Sequence, residues 1–396
     1  MSSRDQTQGE LIVLALNAGS SSLKFGLFRA GLNKVETLLS GSADAIGEPA
    51  TSFSARDGSG ALICHDAEPI SGQEKAFDRV SALFGRVALV WPQAIAHRIV
   101  HGGPRLLRHC RIDDDVVVEL EKAAQFAPLH VPSALTGIRH AKARFRDLPQ
   151  IACFDTAFHA ELPDVSRVLP IARDLERQGL RRYGFHGLSC ESILHQIGPD
   201  CPSRVIIAHL GSGASITAVR DGKSADTSMG LTPAGGVVMA TRSGDLDPGV
   251  LVYLLRQKRF DADQLEQEID HRAGLYAVSG LSGDMRALRK AAGNNADARL
   301  AIAMFSHSVR KEIAAMAAVL GGVDLLVFTG GIGENDPRAR HEICEKLDWM
   351  GLALDEGRDR QAQNPTGADR PPVKVLVLPS REEEQMARDA LRVVNG

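Results

Sequence analysis

An apolar strand, a turn of glycine and serine, and a second apolar strand occur twice in this chain of 396 residues, about half its length apart. The first copy runs from Leu11 to Leu16, through Asn17-Ala18-Gly19-Ser20-Ser21-Ser22-Leu23-Lys24, and on to Phe28. The second runs from Arg204 to Leu210, through Gly211-Ser212-Gly213, and on to Val219. A duplicated unit of this kind points to two similar α/β halves, with a ligand bound where they meet. Both turns offer backbone N–H groups and hydroxyls, the first adds Lys24, and neither holds a carboxylate. Successive N–H dipoles beside an ammonium suit phosphate oxygens. Taken singly, such a turn also reads as a plain polar hairpin.

A third unit, Asp324 to Phe328, leads into Thr329-Gly330-Gly331-Ile332-Gly333-Glu334-Asn335 and then a predicted helix over 338–347. Its glycines permit positive φ and close approach of backbone to a ligand. The spacing is not G-x-G-x-x-G, which argues against a dinucleotide fingerprint. Helical periodicity predicts further helices at 76–84, 116–126, 133–146, 189–197, 248–258, 261–272, 297–320 and 382–394. In 297–320 the stripe Ile302, Phe305, Val309, Ile313, Met316 and Leu320 reads as core. A strand is predicted at 373–378.

The bulk numbers narrow the class of protein. A net charge of −3 argues against a general nucleic-acid binder. Six cysteines without C-x-x-C spacing suggest neither a zinc ribbon nor a dithiol site, and read as reduced cytoplasmic thiols. Residues 1–10 lack the apolar core of a signal peptide. The most apolar helical stretch is interrupted by Arg310, Lys311 and Glu312, so no membrane span is expected.

Polar groups collect at strand ends and in turns. His97-Arg98 precedes His101-Gly102-Gly103. Four residues of strand span about 13 Å, too far for both histidines to hold one ion, so Arg98 reads as an anion clamp or a structural ion pair. Asp155 ends the apolar run 151–154, as a metal or phosphate ligand, a base or a helix cap. Arg181-Arg182-Tyr183-Gly184-Phe185-His186-Gly187 is cationic and aromatic. The glycine-rich 224–248 carries Arg242-Ser243-Gly244-Asp245 near its end, and Asp284-Met285-Arg286 follows another Gly/Ser turn. Cations, glycine turns and scattered acids for Mg²⁺ are together what phosphoryl transfer needs, since that reaction is mostly positioning and charge neutralisation.

With those residues in view, the chain resembles the acetate kinase (acetokinase) family, within the superfamily of acetate and sugar kinases, heat-shock ATPases and actin. The motifs occur in the family's order: LNAGSSSLKF, HRIVHGG, FDTAFH, RRYGFHG, HLGSGAS, TRSGDLDP, GIGEN and REEEQMARDA. The resemblance implies two related actin-like (ribonuclease H-like) α/β domains with an interdomain nucleotide cleft. The N-terminal domain is expected over 1–155 with 373–396 returning to it, and the C-terminal domain over 156–372. It implies reversible transfer of phosphate from ATP to acetate, giving acetyl phosphate and ADP, with Mg²⁺ or Mn²⁺, in a cytoplasmic homodimer. Propionate as acceptor, or a pyrophosphate donor, is the alternative within that class. A non-catalytic nucleotide-binding regulator is the alternative outside it.

Carried residue by residue, the resemblance places Asn17 and Glu382 at the metal and Ser20, Ser22 and Lys24 at the phosphates. It places Arg98 on the carboxylate, and Val100, Leu129, Phe185 and Pro233 around the acyl methyl group. Asp155, His186, Arg242 and Arg98 are then the catalytic set. His209, Leu210, Gly211, Ser212, Gly213, Asp284, Met285, Arg286, Gly331, Ile332, Gly333, Glu334 and Asn335 contact ATP. Acetate is already ionised at neutral pH, so Asp155 has no obvious proton to remove, and is expected to position a metal, its water or the phosphate. The chain departs from the family at Ser212 (usually Asn), Cys190 (usually His), Ala234-Gly235-Gly236 (usually Leu-Glu-Gly), Ala240 (usually Gly) and Glu384 (usually Leu).

Overall fold

The computed structural model describes residues 9–19, 21–48, 51–86, 90–128, 130–361, 363–367 and 373–396. These form two compact units, the first of residues 1–160, 187–192 and 381–396, the second of 161–186 and 193–380. Ser20 and Leu129 lie outside the described residues.

The first unit holds β1 (Leu11–Ala18), β2 (Ser22–Ala30), β3 (Val35–Asp44), β4 (Ser52–Asp57), β5 (Leu62–Asp66), β6 (Ala94–Ile99), β7 (Cys110–Arg111) and β8 (Gln150–Phe154). Their order in the sheet is β5-β4-β3-β2-β1-β6-β8-β7. β1, β2 and β3 pair antiparallel, whereas β1, β6 and β8 run parallel. The second unit holds β9 (Arg204–Leu210), β10 (Ala214–Arg220), β11 (Lys223–Thr227), β12 (Leu325–Thr329) and β13 (Lys374–Val377), in the order β11-β10-β9-β12-β13. Here too the first three strands pair antiparallel and the last two run parallel with β9. The repeat in the sequence is thus a repeat in topology: β1–β2 corresponds to β9–β10, and the two glycine turns occupy equivalent places.

Period-two alternation sorts the strands of the first sheet onto two faces. Val13, Ala15, Ala96, Ile151 and Cys153 pack with Leu188, Met386, Ala387 and Ala390 from the helices Gly187–Ile197 and Glu382–Asn395. Extending that alternation by one step puts Asn17, Arg98 and Asp155 on the same face, at the carboxyl ends of three parallel strands. In the second unit the helix Ala296–Leu320 buries Ile302, Phe305, Val309, Ile313 and Met316, the stripe expected from the sequence.

The domain boundaries differ from expectation. β13 pairs with β12 inside the second sheet, so the chain rejoins the first unit at Arg381 rather than at 373. A short segment, 187–192, also belongs to the first unit, because the Gly187 N–H donates to Asp155 O at 2.8 Å and Leu188 is buried in that unit's core. The expected helix 261–272 is a short helix, Ala262–Glu266, followed by a π turn over Gln267–His271.

Candidate active site

In the first unit the alternation described above converges on a guanidinium. Arg98 donates from Nε to Asp155 Oδ1 at 3.0 Å and from Nη2 to Asp155 Oδ2 at 2.6 Å. Nη1 lies 3.5 Å from Asn17 Oδ1, and Nε lies 3.8 Å from Glu382 Oε2. Asp155 therefore spends both oxygens on one edge of Arg98. A guanidinium has five N–H groups in a planar fork, so the Nη1/Nη2 edge retains donors for a second carboxylate. Burial pushes the Asp155 carboxyl up, and the Arg98 charge pulls against it. For Arg98, the neighbouring Asp155 and Glu382 charges outweigh burial and keep it protonated.

Glu382 and Glu383 begin the C-terminal helix, where the N-terminal dipole favours acids. Burial and the adjacent Glu382 charge push Glu383 up, while Lys24 and Arg98 oppose the rise. Lys24 sits on β2 directly across from Asn17. Asn17, Asp155, Glu382 and Glu383 offer oxygen donors only, and their three carboxylates outnumber the two cations beside them. A hard divalent cation such as Mg²⁺ suits that donor set.

In the second unit a different set gathers at the β9–β10 turn. His186 precedes the helix Gly187–Ile197 with φ 58°, a left-handed conformation uncommon for histidine. Its Nδ1 lies 2.9 Å from Ser215 Oγ, and its ring stacks on His209 at 4.1 Å. Arg242 Nη1 donates to Pro233 O at 3.2 Å. A methyl group placed on Gly213 would come within 3.1 Å of Arg242 Nη1 and 3.5 Å of His186 Nε2, so imidazole and guanidinium both close on this glycine backbone.

Beside these groups lies a cavity of about 800 Å³. Of the residues expected to contact a nucleotide, Gly211, Ser212, Asp284, Met285, Arg286, Gly331, Ile332 and Asn335 line it. Ala240, Thr241, Gly283, Arg289 and Asp336 line it as well and were not expected. Arg289 grips Glu342 with Nη1 at 2.5 Å and Nη2 at 2.9 Å, and Asp336 with Nε at 3.1 Å. Its spacing of three from Arg286 on one helix was the available signal.

Five of the residues expected at the nucleotide have other neighbours. Glu334 Oε1 accepts from Gly330 N–H and Ser380 N–H, both at 2.9 Å, so its carboxylate braces the Gly-rich loop from within. Gly333 turns its carbonyl to the buried Arg340, whose Nη1 donates at 2.8 Å. Leu210 is fully buried on β9, while His209 and Gly213 face His186. None of these five is among the cavity's lining residues. Asp284 caps the helix Met285–Ala291 and pairs with Arg286 at 2.8 Å. Ser22 and Lys24 belong to the first unit, as does the half-buried Val100, whereas the buried Phe185 and the half-buried Pro233 belong to the second. His97 is hydrogen-bonded to Gln150 at 2.7 Å, and His101 Nδ1 accepts from Gly103 N–H at 2.8 Å; neither ring is placed as a metal ligand.

Comparison with known proteins places the chain in a family. The family model described as "Acetokinase family" matches residues 12–388. The acetate kinase of Methylocella silvestris is 38% identical over 406 residues, covering 97% of this chain and 98% of its own. The crystal structure of a propionate kinase from Francisella tularensis superposes with a TM-score of 0.89 at 34% identity, over 96% of this chain and 98% of that one. That of Porphyromonas gingivalis acetate kinase gives 0.85 at 32% identity, over 97% and 100%. The two related α/β units have the actin-like, ribonuclease H-like fold, and the chain belongs to the acetokinase family.

Proposed function

We propose that this protein is an acetate kinase, transferring the γ-phosphoryl group of ATP reversibly to acetate to give acetyl phosphate and ADP. The observation that carries this reading is the Arg98–Asp155 pair, which presents one guanidinium edge at the end of a parallel strand and keeps it charged. A carboxylate bound there is already ionised and attacks phosphorus without a base. Asp155 then orients Arg98 and takes no proton, a different role from the positioning of metal, water or phosphate expected from the sequence.

His186 and Arg242 neutralise charge on the transferring phosphoryl group, and the cavity in the second unit takes the nucleotide. Its volume falls in the range of small-molecule sites, roughly 300–1,000 Å³. Met285, Ile332 and Ala240 give it apolar wall. A pyrophosphate donor would leave that wall unused, which favours a nucleoside triphosphate. Asn17 and Glu382, with Glu383 beside them, would hold Mg²⁺ or Mn²⁺; the ion neutralises phosphate oxygens. Propionate is the competing acceptor, since one methylene in an apolar pocket changes discrimination by only about 1–3 kcal/mol.

All six cysteines are free thiols, which fits a reducing cytoplasm. Among the described residues no helix is long and apolar enough to cross a membrane. The helix Pro248–Gln257 buries none of its residues and leaves Val250, Val252, Tyr253 and Leu255 between 42% and 54% exposed. An apolar helix left uncovered in this way is the surface we assign to a homodimer.

Replacing Arg242 by alanine tests the assignment. Turnover should fall by about a hundredfold to a thousandfold, the usual effect of removing one charge-stabilising donor, with ATP affinity within a few-fold. Turnover preserved within a few-fold would remove Arg242 from the phosphoryl site.

A further inference from the structure

His109, Glu191 and Asp389 are brought together in the first unit from three distant parts of the chain, with ligand-type atoms all within 4.8 Å. His109 Nε2 lies 3.4 Å from Glu191 Oε2 and 3.5 Å from Asp389 Oδ2. Asp389 is buried and also accepts from Gln385 Nε2 at 3.1 Å and Arg392 Nη1 at 3.0 Å. Burial, reinforced by the Glu191 charge, pushes Asp389 up to about 7. Burial opposes a charge on His109, whereas the Glu191 hydrogen bond and the two carboxylate charges push it up, and the Phe154 N–H on Nδ1 leaves no place for the second proton. Two carboxylates crowded into a core are a poor way to stabilise it, because apolar residues of similar volume usually serve as well or better.

A metal is the obvious occupant, and the far side of the imidazole argues against it. His109 Nδ1 accepts the Phe154 N–H at 3.0 Å. A histidine that ligates metal through Nε2 ordinarily carries its proton on Nδ1 and donates it outward. Here Nδ1 is the acceptor, so the proton sits on Nε2 and points at the two carboxylates. Protonating Nδ1 would set two N–H groups against each other and break the Phe154 bond.

That bond has a topological reason. β7 pairs with β8 only through Cys110↔Ala152 and Arg111↔Ile151. Phe154 N–H points to the same side as that of Ala152, beyond the end of β7, where no backbone partner remains. The His109 ring replaces the missing strand. On the other side of β8, Asp155 N–H donates to Ile99 O at 3.0 Å, and Asp155 O accepts from Gly187 N–H at 2.8 Å. Glu191 lies one turn beyond Gly187 on its helix, and Asp389 lies on the helix that Glu382 begins.

We propose that His109 is a positioning residue: it holds the end of β8, and so Asp155 and Arg98, through the Phe154 N–H, and takes its own orientation from Glu191 and Asp389. For its activity readout this rests on the carboxylate-kinase reading.

Two variants separate the two sides of the ring. His109→Asn keeps an acceptor near Nδ1 and loses the Nε2–H; His109→Gln keeps a donor toward the carboxylates and loses the acceptor. His109→Asn should retain kcat/KM for acetate within about threefold, whereas His109→Gln should lose at least tenfold, with ATP affinity unchanged in both. Equal losses in the two variants, or losses that follow their urea midpoints, would overturn the proposal. A measurement on the unaltered protein covers failure to fold. The ¹⁵N spectrum of histidine-labelled enzyme should show His109 as the neutral Nε2–H tautomer at pH 7, and an Nδ1–H tautomer or an imidazolium would overturn the proposal. Failure of the unaltered protein to form acyl phosphate would count against the kinase reading alone, because the tautomer does not depend on activity.

Discussion

Arg98 and Asp155 form the most exposed test of this account, because their pairing is both a stability element and a substrate clamp. Their side chains are 20% and 2% exposed. Arg98→Met removes two charge-assisted hydrogen bonds and leaves Asp155 buried near Glu382 with no partner for its charge. Breaking a buried pair from one side costs about 3–5 kcal/mol, and the near-complete burial of Asp155 places Arg98→Met at the upper end. Asp155→Leu leaves Arg98 partly exposed and still 3.8 Å from Glu382, so it belongs at the lower end, near 3 kcal/mol. If the losses were independent, the double variant would be about 7–8 kcal/mol less stable. Removing both charges instead leaves an apolar contact, and the double variant should be as stable as the parent to within about 1 kcal/mol. Urea unfolding of all four proteins measures the cycle, and acyl-phosphate formation should be abolished in the three variants. Single losses below about 1 kcal/mol, or a double loss equal to their sum, would refute the buried-pair argument.

Other positions give independent checks. Burial pushes His97 down to about 4, so it stays neutral in the folded protein while the unfolded chain takes up a proton near 6.5. Stability should therefore fall by about 3 kcal/mol between pH 6.5 and pH 4 and no further through this group; His97→Gln should flatten that part of the stability–pH curve. Arg340 donates to Asp359 Oδ1 at 2.7 Å and to Gly333 O and Glu334 O, at 1% side-chain exposure. Arg340→Met should cost about 3–5 kcal/mol in urea unfolding and raise KM for ATP with little change in KM for acetate. A Cβ on Gly187 would stand 2.3 Å from Asp155 O; Gly187→Ala should displace the strand end and lower kcat/KM for acetate at least tenfold, while ATP affinity remains.

Much of this was legible in the chain itself. The two glycine turns announced two related sheets, and apolar runs ending at Asn17 and Asp155, with the His97-Arg98 pair, announced polar groups near strand ends. The stripe Ile302 to Leu320 gave its helix within a residue of the observed Ala296–Leu320. What stayed hidden depends on pairings between distant residues. Nothing local tells that Asp155 spends both oxygens on Arg98, that Glu334 braces its own loop, or that Arg340 holds the Gly333 carbonyl. The edge position of β13 was hidden for the same reason, since a short apolar strand carries no mark of which sheet it joins. His109 showed no motif at all, because its partners come from the helices Gly187–Ile197 and Glu382–Asn395 and from the β8 backbone.

The central claim is that an ionised carboxylate attacks phosphorus directly. Enzyme incubated with ATP, Mg²⁺ and acetate labelled with ¹⁸O in both carboxyl positions should yield ADP and an acetyl phosphate that retains both labels, one of them bridging carbon and phosphorus. Mass spectrometry of the trapped product reads this directly. ADP released with unlabelled inorganic phosphate and no acyl phosphate, whether from acetate or propionate, would contradict the account.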